Sequence, residues 1–443
     1  MQLQIADARC REAVERIASQ VAARGGRALL VGGCVRDAAL GRAVRDVDLE
    51  VFGVDLDALE LLIGQHFSCR RVGTDFPVLK LGGLPIDVSV PRSPELSFGE
   101  AARRRDFTIN ALGWDPLAGT GDLLDPLGGR LDLERRILRR CSDHFAEDPL
   151  RVLRGMQLVA RFDLEVVPET LAFCRSLSPA GVAPERLFEE WRKLILRGEQ
   201  IGRGLRFLHA CGWLEHFPEL AALPGCPQDP QWHPEGDVWV HTGHCLDAFA
   251  RARTGDDRED LIVGLAVLCH DLGKPATTRV EENGRITSKR HEVVGTGIAL
   301  AFLSRLTAEG ELLEQVPRLV ASHLAPSMFY RDRAGDAAIR RLACRVGDIE
   351  RLIRVAAADY AGRSPLPALP FEAGEWLRER ARALAVHRSA PEPLLKGRHL
   401  IDLGLEPGPG FQPLLDACYE AQLEGDVTTL EEALAFTRRR LGG

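Results

Sequence analysis

Apolar and polar side chains alternate in two short segments near the start of the chain. In residues 46–51 the apolar Val47, Leu49 and Val51 are separated by acidic residues, and residues 84–90 alternate in the same way. Successive side chains of a strand point to opposite faces of the sheet. Each segment is therefore predicted to be a strand with one face in a hydrophobic core and one polar face.

The pattern changes along the chain from mixed to helical. An amphipathic helix is predicted within residues 1–28, and the apolar run at 29–31 reads as a strand that ends in a Gly-Gly turn. Short alternating runs separated by Gly, Pro and Asp continue to about residue 125, which predicts a mixed α/β region. Helical periodicity dominates from residue 126 onward.

Composition and charge narrow the possible classes of protein. The chain has 443 residues, of which 45% are hydrophobic and 27% charged, and its net charge of −7 does not suggest a general nucleic-acid binder. Local arginine clusters such as 103–105 and 438–440 still permit binding to phosphates. Eleven scattered cysteines without a C-x-x-C pair, and no apolar stretch of membrane-spanning length, lead us to expect a cytoplasmic protein with reduced thiols and no membrane association.

The acidic faces of the two predicted strands are candidates for metal binding. Asp46 and Asp48 share one face of the first strand, and Asp87 occupies the polar face of the second. Carboxylates that lie close together repel one another unless a cation lies between them, and hard oxygen ligands suit Mg²⁺. The alternative is the ordinary solvent-exposed face of a sheet.

Two further segments are candidates for binding phosphates. A turn at Gly32 and Gly33 lets backbone N–H groups approach a triphosphate, and Arg36 follows in the next helical segment. Arg105 and Asp106 offer a guanidinium for phosphate oxygens and an acceptor for a ribose hydroxyl. The alternative for Asp106 is a helix cap.

Asp148, Arg151 and Arg154 recur at a spacing of three residues, which predicts one helical face. Cytosine and adenine each present an amino donor beside a ring-nitrogen acceptor. A carboxylate with a guanidinium matches that pattern, whereas uracil and guanine would leave both groups unpaired at a cost of about 1–3 kcal/mol. The alternative is an ordinary intrahelical ion pair.

These motifs together resemble the DNA polymerase β-type nucleotidyltransferases, and more closely the class II tRNA nucleotidyltransferases (CCA-adding enzymes) and bacterial poly(A) polymerases. The resemblance is strongest in four stretches: 29–51, 103–112, 125–161 and 232–291. It implies a polymerase β-like α/β nucleotidyltransferase head with a mixed sheet, followed by an all-α neck, body and tail. The implied domains are a catalytic head at 1–125, a neck and body for base recognition at 126–225, an HD-type helical domain at 226–390 and a helical tail at 391–443.

The resemblance also implies roles for individual residues. Two Mg²⁺ ions would be held by Asp46 and Asp48, with Asp87 as a third ligand or base, for template-independent transfer of nucleotides to the 3′ end of tRNA with release of pyrophosphate. The implied nucleotide-binding residues are Gly32, Gly33, Arg36, Arg105, Asp106, Asn110, Asp148, Arg151 and Arg154.

One departure from the family bears on which nucleotides are added. Relatives usually carry a longer Gly-rich insertion where residues 91–103 stand here, and that insertion is associated with switching from CTP to ATP. The gap suggests a CC-adding enzyme that uses CTP and leaves the final adenosine to a separate enzyme. A complete CCA-adding enzyme that uses CTP and ATP is the close alternative. A poly(A) polymerase is disfavoured because the C-terminal end is mostly not basic.

A second set of residues in the helical part resembles an HD-type metal phosphohydrolase. The predicted metal ligands are His241, His270, Asp271, His291, His323 and Asp359, with His244 as a competitor for the place of His241. This ligand set suits a divalent transition metal or Mg²⁺, which would activate water against phosphate esters. The alternative from another class is therefore a phosphohydrolase in which only this site is active.

Overall fold

The computed structural model describes residues 5–73, 77–93, 95–118, 123–363 and 370–441. The chain forms two compact units. Unit 1 comprises Met1–Val182 with Ala210–Gly212, and unit 2 comprises Ala183–His209 with Trp213–Gly443. The four-domain division expected from the sequence stays a prediction. None of the helices in the described ranges combines the length and apolar composition that crossing a bilayer requires.

Unit 1 is built on a six-stranded mixed sheet, as predicted. Its strands, in spatial order, are β3 (Cys69–Val72), β4 (Val78–Leu81), β5 (Ile86–Ser89), β2 (Val47–Phe52), β1 (Arg27–Val31) and β6 (Gly113–Trp114). β2 and β5 run parallel, and every other neighbouring pair is antiparallel. The parallel pair therefore brings together two strands that are distant in the sequence.

The alternation in residues 46–51 is confirmed in β2. Val47, Leu49 and Val51 are fully buried in the hydrophobic core, whereas Asp48 and Glu50 lie on the other face and are less buried. The buried side chains of β5 belong to the same core, and so do those of the N-terminal amphipathic helix α1 (Ala8–Ala22). One face of the sheet is thus covered by the main core of unit 1, and the opposite face carries the carboxylates together with a smaller apolar cluster that includes Leu29 and Val31.

The remaining elements of unit 1 are short helices and a small parallel strand pair. The helices are α2 (Gly33–Ala39), α3 (Leu56–Gly64), α4 (Phe98–Arg103), α5 (Gly129–Glu134), α6 (Arg151–Phe162) and α7 (Pro168–Arg175), with 3₁₀ turns at Thr108–Asn110 and Asp143–Glu147. The two strands are β7 (Ile137–Leu138) and β8 (Glu165–Val166). The start of α5 needs glycine, because a Cβ on Gly129 would lie 2.0 Å from the carbonyl oxygen of Thr108.

In its described residues, unit 2 is helical apart from one hairpin, as predicted for this part of the chain. Its helices are α8 (Pro184–Arg197), α9 (Ile201–Ala210), α10 (Pro218–Ala221), α11 (Val238–Arg251), α12 (Asp257–Cys269), α13 (Lys274–Thr277), α14 (His291–Ser304), α15 (Gly310–Ser322), α16 (Ala325–Asp332), α17 (Asp336–Val346), α18 (Ile349–Ala361), α19 (Glu372–Ala383), α20 (Gly397–Asp402), α21 (Phe411–Glu424) and α22 (Leu430–Leu441). The hairpin joins β9 (Thr278–Val280) to β10 (Ile286–Ser288). The last three helices have a separate small hydrophobic cluster.

Candidate functional site

The parallel pairing of β2 and β5 places two predicted catalytic carboxylates side by side. Asp48 is directly opposite Asp87 in the register, and Asp46 lies just before the first residue of β2. Lys80 of β4 is the next neighbour in the same row, and its Nζ lies 2.6 Å from Asp87 Oδ2. In the described part of the chain, the groups of three or more ligand atoms within 4.8 Å of one another all lie in unit 2. The carboxylates of unit 1 are neighbours in the sheet but do not form such a close group. Their oxygen atoms are ligands that suit Mg²⁺.

The surroundings of Asp48 disfavour its charge. Desolvation by the surrounding protein raises the pKa of this carboxyl, and the charges of Asp87 and Asp46 raise it further. Arg105 opposes the shift. A cation bound beside Asp48 would stabilise its charged form for the same electrostatic reason.

Arg105 lies against the glycine turn, next to Asp48. Gly32 has φ +73°, and a Cβ at that position would lie 3.2 Å from Arg105 Nη1 and 3.7 Å from Asp48 Oδ2. Glycine thus leaves room for the guanidinium and permits the left-handed turn. Arg105 Nη2 donates to Glu50 Oε2 at 2.8 Å. Burial would lower the pKa of Arg105, but Glu50 and Asp48 raise it above its usual range, so its charge is retained.

Asp106 is buried, and its carboxylate is stabilised by several donors. It accepts hydrogen bonds from the backbone N–H of Phe107 at 2.7 Å and from Asn110 Nδ2 at 3.1 Å. Arg154 Nη1 lies 3.3 Å from its other oxygen. Burial would raise the pKa of Asp106, but Arg154 and these hydrogen bonds lower it below its ordinary value. Asp106 is therefore an ionised acceptor that links the segment after α4 to helix α6.

Arg36 is buried and already has protein partners. Its Nη1 donates to Asn110 Oδ1 at 2.6 Å, and its Nη2 donates to Asp37 Oδ1 at 2.7 Å. Its guanidinium also stacks on the ring of Phe162 at 4.4 Å. Arg161 Nη2 donates to the second oxygen of Asp37 at 3.2 Å. Sequence analysis missed Asp37 and Arg161, although both lie in stretches that resemble the family, because only the fold brings them together.

The prediction that Asp148, Arg151 and Arg154 share one helical face is wrong for Asp148. Helix α6 begins at Arg151, and Asp148 has extended backbone angles of φ −139° and ψ 99°. Pro149 explains the difference, because the residue before a proline is sterically disfavoured in the helical conformation. Asp148 Oδ1 accepts a hydrogen bond from the Leu150 N–H at 3.2 Å, which places its carboxylate at the start of the helix.

Arg151 is oriented by two backbone carbonyl groups. Its Nη1 donates to the carbonyl oxygen of His144, and its Nη2 donates to that of Arg104, both at 2.7 Å. The second bond links the base-recognition candidate directly to the segment that carries Arg105. The guanidinium is thus held in one orientation, as a residue that selects a base by hydrogen-bond pattern requires.

A cavity of about 940 Å³ in unit 1 brings most of the predicted nucleotide-binding residues together. Its size is in the range of cofactor and substrate sites. Predicted residues on its walls are Gly32, Gly33, Arg36, Asp48, Arg105, Asp106, Asn110, Arg151 and Arg154. Gln157, which replaces an arginine common in the family, is also on the wall.

Unit 2 gathers the six predicted HD residues into one buried cluster. His241 Nε2 lies 3.0 Å from Asp359 Oδ1, and His270 Nε2 lies 3.9 Å from the same oxygen. Asp271 lies between this group and a second group, with Oδ2 at 3.2 Å from His270 Nε2. His244 belongs to none of the metal-ligand groups found in the described ranges, so the geometry favours His241.

The second group consists of Asp271, His291 and His323. His291 Nε2 lies 3.2 Å from Asp271 Oδ1 and 3.2 Å from His323 Nε2. Burial, together with His270 and His291, lowers the pKa of His323 to about 3. His323 is therefore neutral at ordinary pH, which is the form that binds metal ions.

Backbone carbonyls orient the imidazole rings of this cluster. In three rings Nδ1 faces the carbonyl oxygen of the third preceding residue: His270 with Val267 at 2.7 Å, His291 with Ser288 at 2.8 Å and His323 with Val320 at 2.8 Å. Each Nε2 is thereby left to face the centre of the cluster. His270 Nε2 is buried without a hydrogen-bond partner. An unpartnered buried nitrogen beside carboxylates fits a divalent transition metal.

Glu235 performs the same orienting function for His241. Its Oε1 lies 2.6 Å from His241 Nδ1 and 2.9 Å from His233 Nδ1. Desolvation opposes its charge, but hydrogen bonds from both imidazoles lower the pKa of Glu235 to about 2. Sequence analysis missed Glu235, although it lies in the 232–241 stretch that resembles the family.

A cavity of about 400 Å³ opens beside the second group in unit 2. Asp271, His291, His323 and Asp359 are on its walls, and so are the basic residues Lys274, Arg285 and Arg363. Metal-ligand candidates with cationic groups around them suit a phosphate ester.

Comparison with family models identifies two matching regions. A model described as "Poly A polymerase head domain" matches residues 63–139. A second, described as "Probable RNA and SrmB- binding site of polymerase A", matches residues 163–223.

Full-length relatives and solved structures extend the similarity to nearly the whole chain. The multifunctional CCA proteins of Alkalilimnicola ehrlichii and Nitrosococcus oceani are 35% and 36% identical, over 84% and 82% of this chain and 94% and 91% of theirs. The CCA-adding enzyme of Bacillus stearothermophilus in complex with CTP aligns over 98% of both chains with a TM-score of 0.65 and 24% identity. The CCA-adding enzyme of Thermotoga maritima complexed with tRNA aligns over 100% of both chains, with a TM-score of 0.61 and 20% identity. These two structural similarities show a shared fold.

Proposed function

Because the chain belongs to the class II tRNA nucleotidyltransferases, the family of the CCA-adding enzymes, we propose that it transfers cytidylate from CTP to the 3′ end of tRNA, releases pyrophosphate and stops after two cytidines. The nucleotidyltransferase activity is that of its family. The observation that carries the residue assignments is the unit 1 cavity, where Asp48, Arg105 and Asp106 lie on the same walls as Arg151 and Arg154.

In this proposal the predicted residues of unit 1 have separate tasks. Asp46 and Asp48, with Asp87 in the neighbouring strand, would hold Mg²⁺, which on binding makes the 3′-hydroxyl of tRNA more acidic and neutralises charge on the leaving pyrophosphate. Arg105 binds phosphate oxygens, and Asp106 is an ionised acceptor for a ribose hydroxyl.

Asp148 and Arg151 choose the base in this proposal. Their carboxylate and guanidinium match the amino group and ring nitrogen of cytosine, and adenine presents the same pattern. Hydrogen-bond pattern alone therefore rejects UTP and GTP but does not separate CTP from ATP. The choice between two and three additions must come from elsewhere in the chain.

The short connection between β5 and the Arg105 segment supports termination after two cytidines. Helix α4 occupies Phe98–Arg103 and starts with a capping box, in which Ser97 and Glu100 bond each other's backbone N–H. Only residues 90–97 remain between β5 and this helix, and Pro94 lies outside the described residues. A short capped connection leaves little chain to rearrange for a second nucleotide. The relatives named multifunctional CCA proteins make complete CCA addition the alternative.

The test uses end-labelled tRNA that lacks its CCA end, incubated with Mg²⁺ and CTP, ATP or both, with products resolved to single nucleotides. Growth by two with CTP, and no further growth when ATP is present, is the expected result. Growth by three with both nucleotides would overturn the CC-only proposal but would still support tRNA nucleotidyltransferase activity. A long ladder with ATP alone would identify a poly(A) polymerase.

We also propose a second activity for unit 2, the hydrolysis of phosphate esters. It is supported by the His/Asp cluster beside a cavity that is lined with Lys274, Arg285 and Arg363. A divalent cation held there supplies activated water when bound. The chain's own contribution is to orient the imidazoles and to bind the phosphate with the three basic groups.

Two variants separate the activities of the two units. The His270→Ala protein is expected to lose hydrolysis of nucleoside 2′-phosphates and 2′,3′-cyclic phosphates while still extending tRNA. Asp48→Asn is expected to give the opposite result. If wild-type protein supplied with Mn²⁺, Co²⁺, Ni²⁺ or Zn²⁺ hydrolyses neither ester, the second activity is rejected and the transferase proposal is unaffected.

A further inference from the structure

Cys245 is a buried cysteine next to the HD cluster. It lies in helix α11, four residues after His241, so both side chains project from the same face of the helix. Its Sγ is 3.3 Å from His241 Nε2, the nitrogen that faces the cluster. A Cβ at residue 362 would lie 2.3 Å from this sulfur, so Gly362 leaves the space that the thiol occupies.

The sulfur completes a set of four donor atoms. The ligand atoms of His241, Cys245, His270 and Asp359 all lie within 4.8 Å of one another. Tetrahedral ligands at the usual Zn–N, Zn–O and Zn–S lengths are separated by about 3.3–3.7 Å. Three separations lie near that range, 3.0 Å for His241 Nε2 with Asp359 Oδ1, 3.3 Å for His241 Nε2 with Cys245 Sγ and 3.9 Å for His270 Nε2 with Asp359 Oδ1, and the other pairs lie within 4.8 Å.

An independent observation indicates that this set binds a cation. His270 Nε2 is buried and makes no hydrogen bond, although Asp271 Oδ2 lies 3.2 Å and Asp359 Oδ1 lies 3.9 Å from it. A buried polar atom without a partner carries a desolvation cost, which a metal bond would remove. Ordinary packing explains an unreactive cysteine among apolar side chains, but it does not explain a thiol among two imidazoles and a carboxylate.

We propose that Cys245 is a thiolate ligand in the metal site formed with His241, His270 and Asp359, and that this site takes a thiophilic divalent cation such as Zn²⁺ or Co²⁺ rather than Mg²⁺. The inference rests on the metal-binding function proposed above for unit 2. The thiol releases its proton to water as the sulfur–metal bond forms. Thiolate ligands favour Zn²⁺ and Co²⁺ over Mg²⁺, which requires hard oxygen donors.

Four protein ligands close a tetrahedral site, which has a consequence for the neighbouring group. Of the four proposed ligands, only Asp359 is on the described walls of the unit 2 cavity, where it lies with Asp271, His291 and His323. The thiolate site would therefore hold its cation with protein ligands alone. The position beside Asp271, His291 and His323 is the one left open to water and a phosphate ester.

Cobalt spectroscopy of the full-length protein tests the assignment. Apoprotein is titrated with Co²⁺ as wild type, as Cys245→Ser and as the matched control Cys344→Ser, a half-buried cysteine whose sulfur lies 3.3 Å from the Tyr419 hydroxyl. Wild type and Cys344→Ser are expected to show a sulfur-to-cobalt charge-transfer band in the near ultraviolet together with visible d–d bands. Cys245→Ser is expected to lose the charge-transfer band and to bind cobalt at least about 10-fold more weakly in competition with a chelator.

The possible failures are distinguishable. Visible bands without a charge-transfer band in wild type would show that cysteine is not a ligand, and so would a charge-transfer band that survives in Cys245→Ser. Either result would still support a metal site formed by the HD residues. No cobalt bands in any protein would overturn both. Urea unfolding of Cys245→Ser followed by tryptophan fluorescence shows whether unit 2 is folded in the variant, because five of the six tryptophans lie in that unit.

Discussion

At the scale of single residues, Asp48 combines three features of a catalytic carboxylate. It lines the unit 1 cavity, it lies beside Asp87 across the parallel strand pair, and desolvation raises its pKa. We expect Asp48→Asn to lower the rate of tRNA extension about 10³-fold, because an amide does not offer the negative charge that a magnesium ion requires. The measurement is single-turnover extension with CTP.

Asp57→Asn is the matched control for Asp48→Asn. Asp57 is an exposed acid of unit 1 in helix α3 and pairs with Arg71. Its replacement is expected to change the rate less than about twofold, because exposed ion pairs contribute little. Extension at near wild-type rate by Asp48→Asn would contradict the metal assignment.

The Asp148→Asn variant tests the proposed role of Asp148 in selecting the nucleotide base. Asp148→Asn exchanges an acceptor-only carboxylate for an amide that also donates, so the penalty against uracil falls. We expect the preference for CTP over UTP to decrease by about 10–100-fold, from a mismatch penalty of about 1–3 kcal/mol. Competition between the two nucleotides in the extension assay measures it. An unchanged preference together with a reduced rate would place Asp148 outside base recognition.

At the scale of elements, Asp260 joins helices α12 and α18. The buried carboxylate accepts hydrogen bonds from the N–H groups of Thr254 and Gly255 and pairs with Arg354. We expect Asp260→Asn to lower the free energy of unfolding of unit 2 by about 3 kcal/mol, because the half-buried guanidinium of Arg354 loses its charged partner. Five of the six tryptophans lie in unit 2, so urea unfolding followed by tryptophan fluorescence measures this change.

The effect of Asp260 depends on pH. Burial opposes its charge, but the Thr254 N–H and Arg354 lower its pKa below the ordinary 3.8. A lowered pKa in the folded state means that the stabilisation is complete above pH 3.8 and is lost as the pH falls through the folded-state pKa. The difference between wild type and Asp260→Asn should therefore shrink in acid. The control Asp257→Asn, in an exposed pair with Arg197, is expected to cost less than about 1 kcal/mol at every pH.

The elements also show how far sequence patterns are reliable. The alternation of apolar and polar side chains predicted β2 correctly, because one face of this strand is buried and the other is not. The three-residue spacing wrongly predicted that Asp148 lies in the helix, because Pro149 disfavours the helical conformation of the residue before it. Periodicity identifies an element, whereas its first residue depends on local steric conflicts.

At the scale of the whole molecule, the net charge of −7 means that tRNA must be bound by local basic surfaces. Helix α22 ends in the exposed Arg438–Arg440. We expect the double variant Arg438→Gln/Arg439→Gln to raise the KM for tRNA several-fold, leave the KM for CTP unchanged and reduce the salt dependence of tRNA binding by up to about two counterions.

Arg331→Gln removes a basic charge elsewhere in unit 2 and serves as the comparison for the tail variant. Arg331 is exposed and paired with Asp332. Equal weakening by both variants would mean that tRNA responds to total charge, and the tail would lose its assigned role. The measurement is filter binding of tRNA over a range of salt concentrations.

The sequence by itself determined strands β1, β2 and β5, the helical second half, the family, and the predicted nucleotide-binding and HD residues that line the two cavities. It could do so because strand and helix periodicity are local, and because the chemistry of metal and phosphate sites restricts the residue types that serve it. The tertiary structure alone decided the pairing of Asp48 with Asp87, the partners of Arg36 and Arg105, and the position of Cys245. These contacts depend on strand register and helix packing between distant parts of the chain, which no local pattern of side chains records.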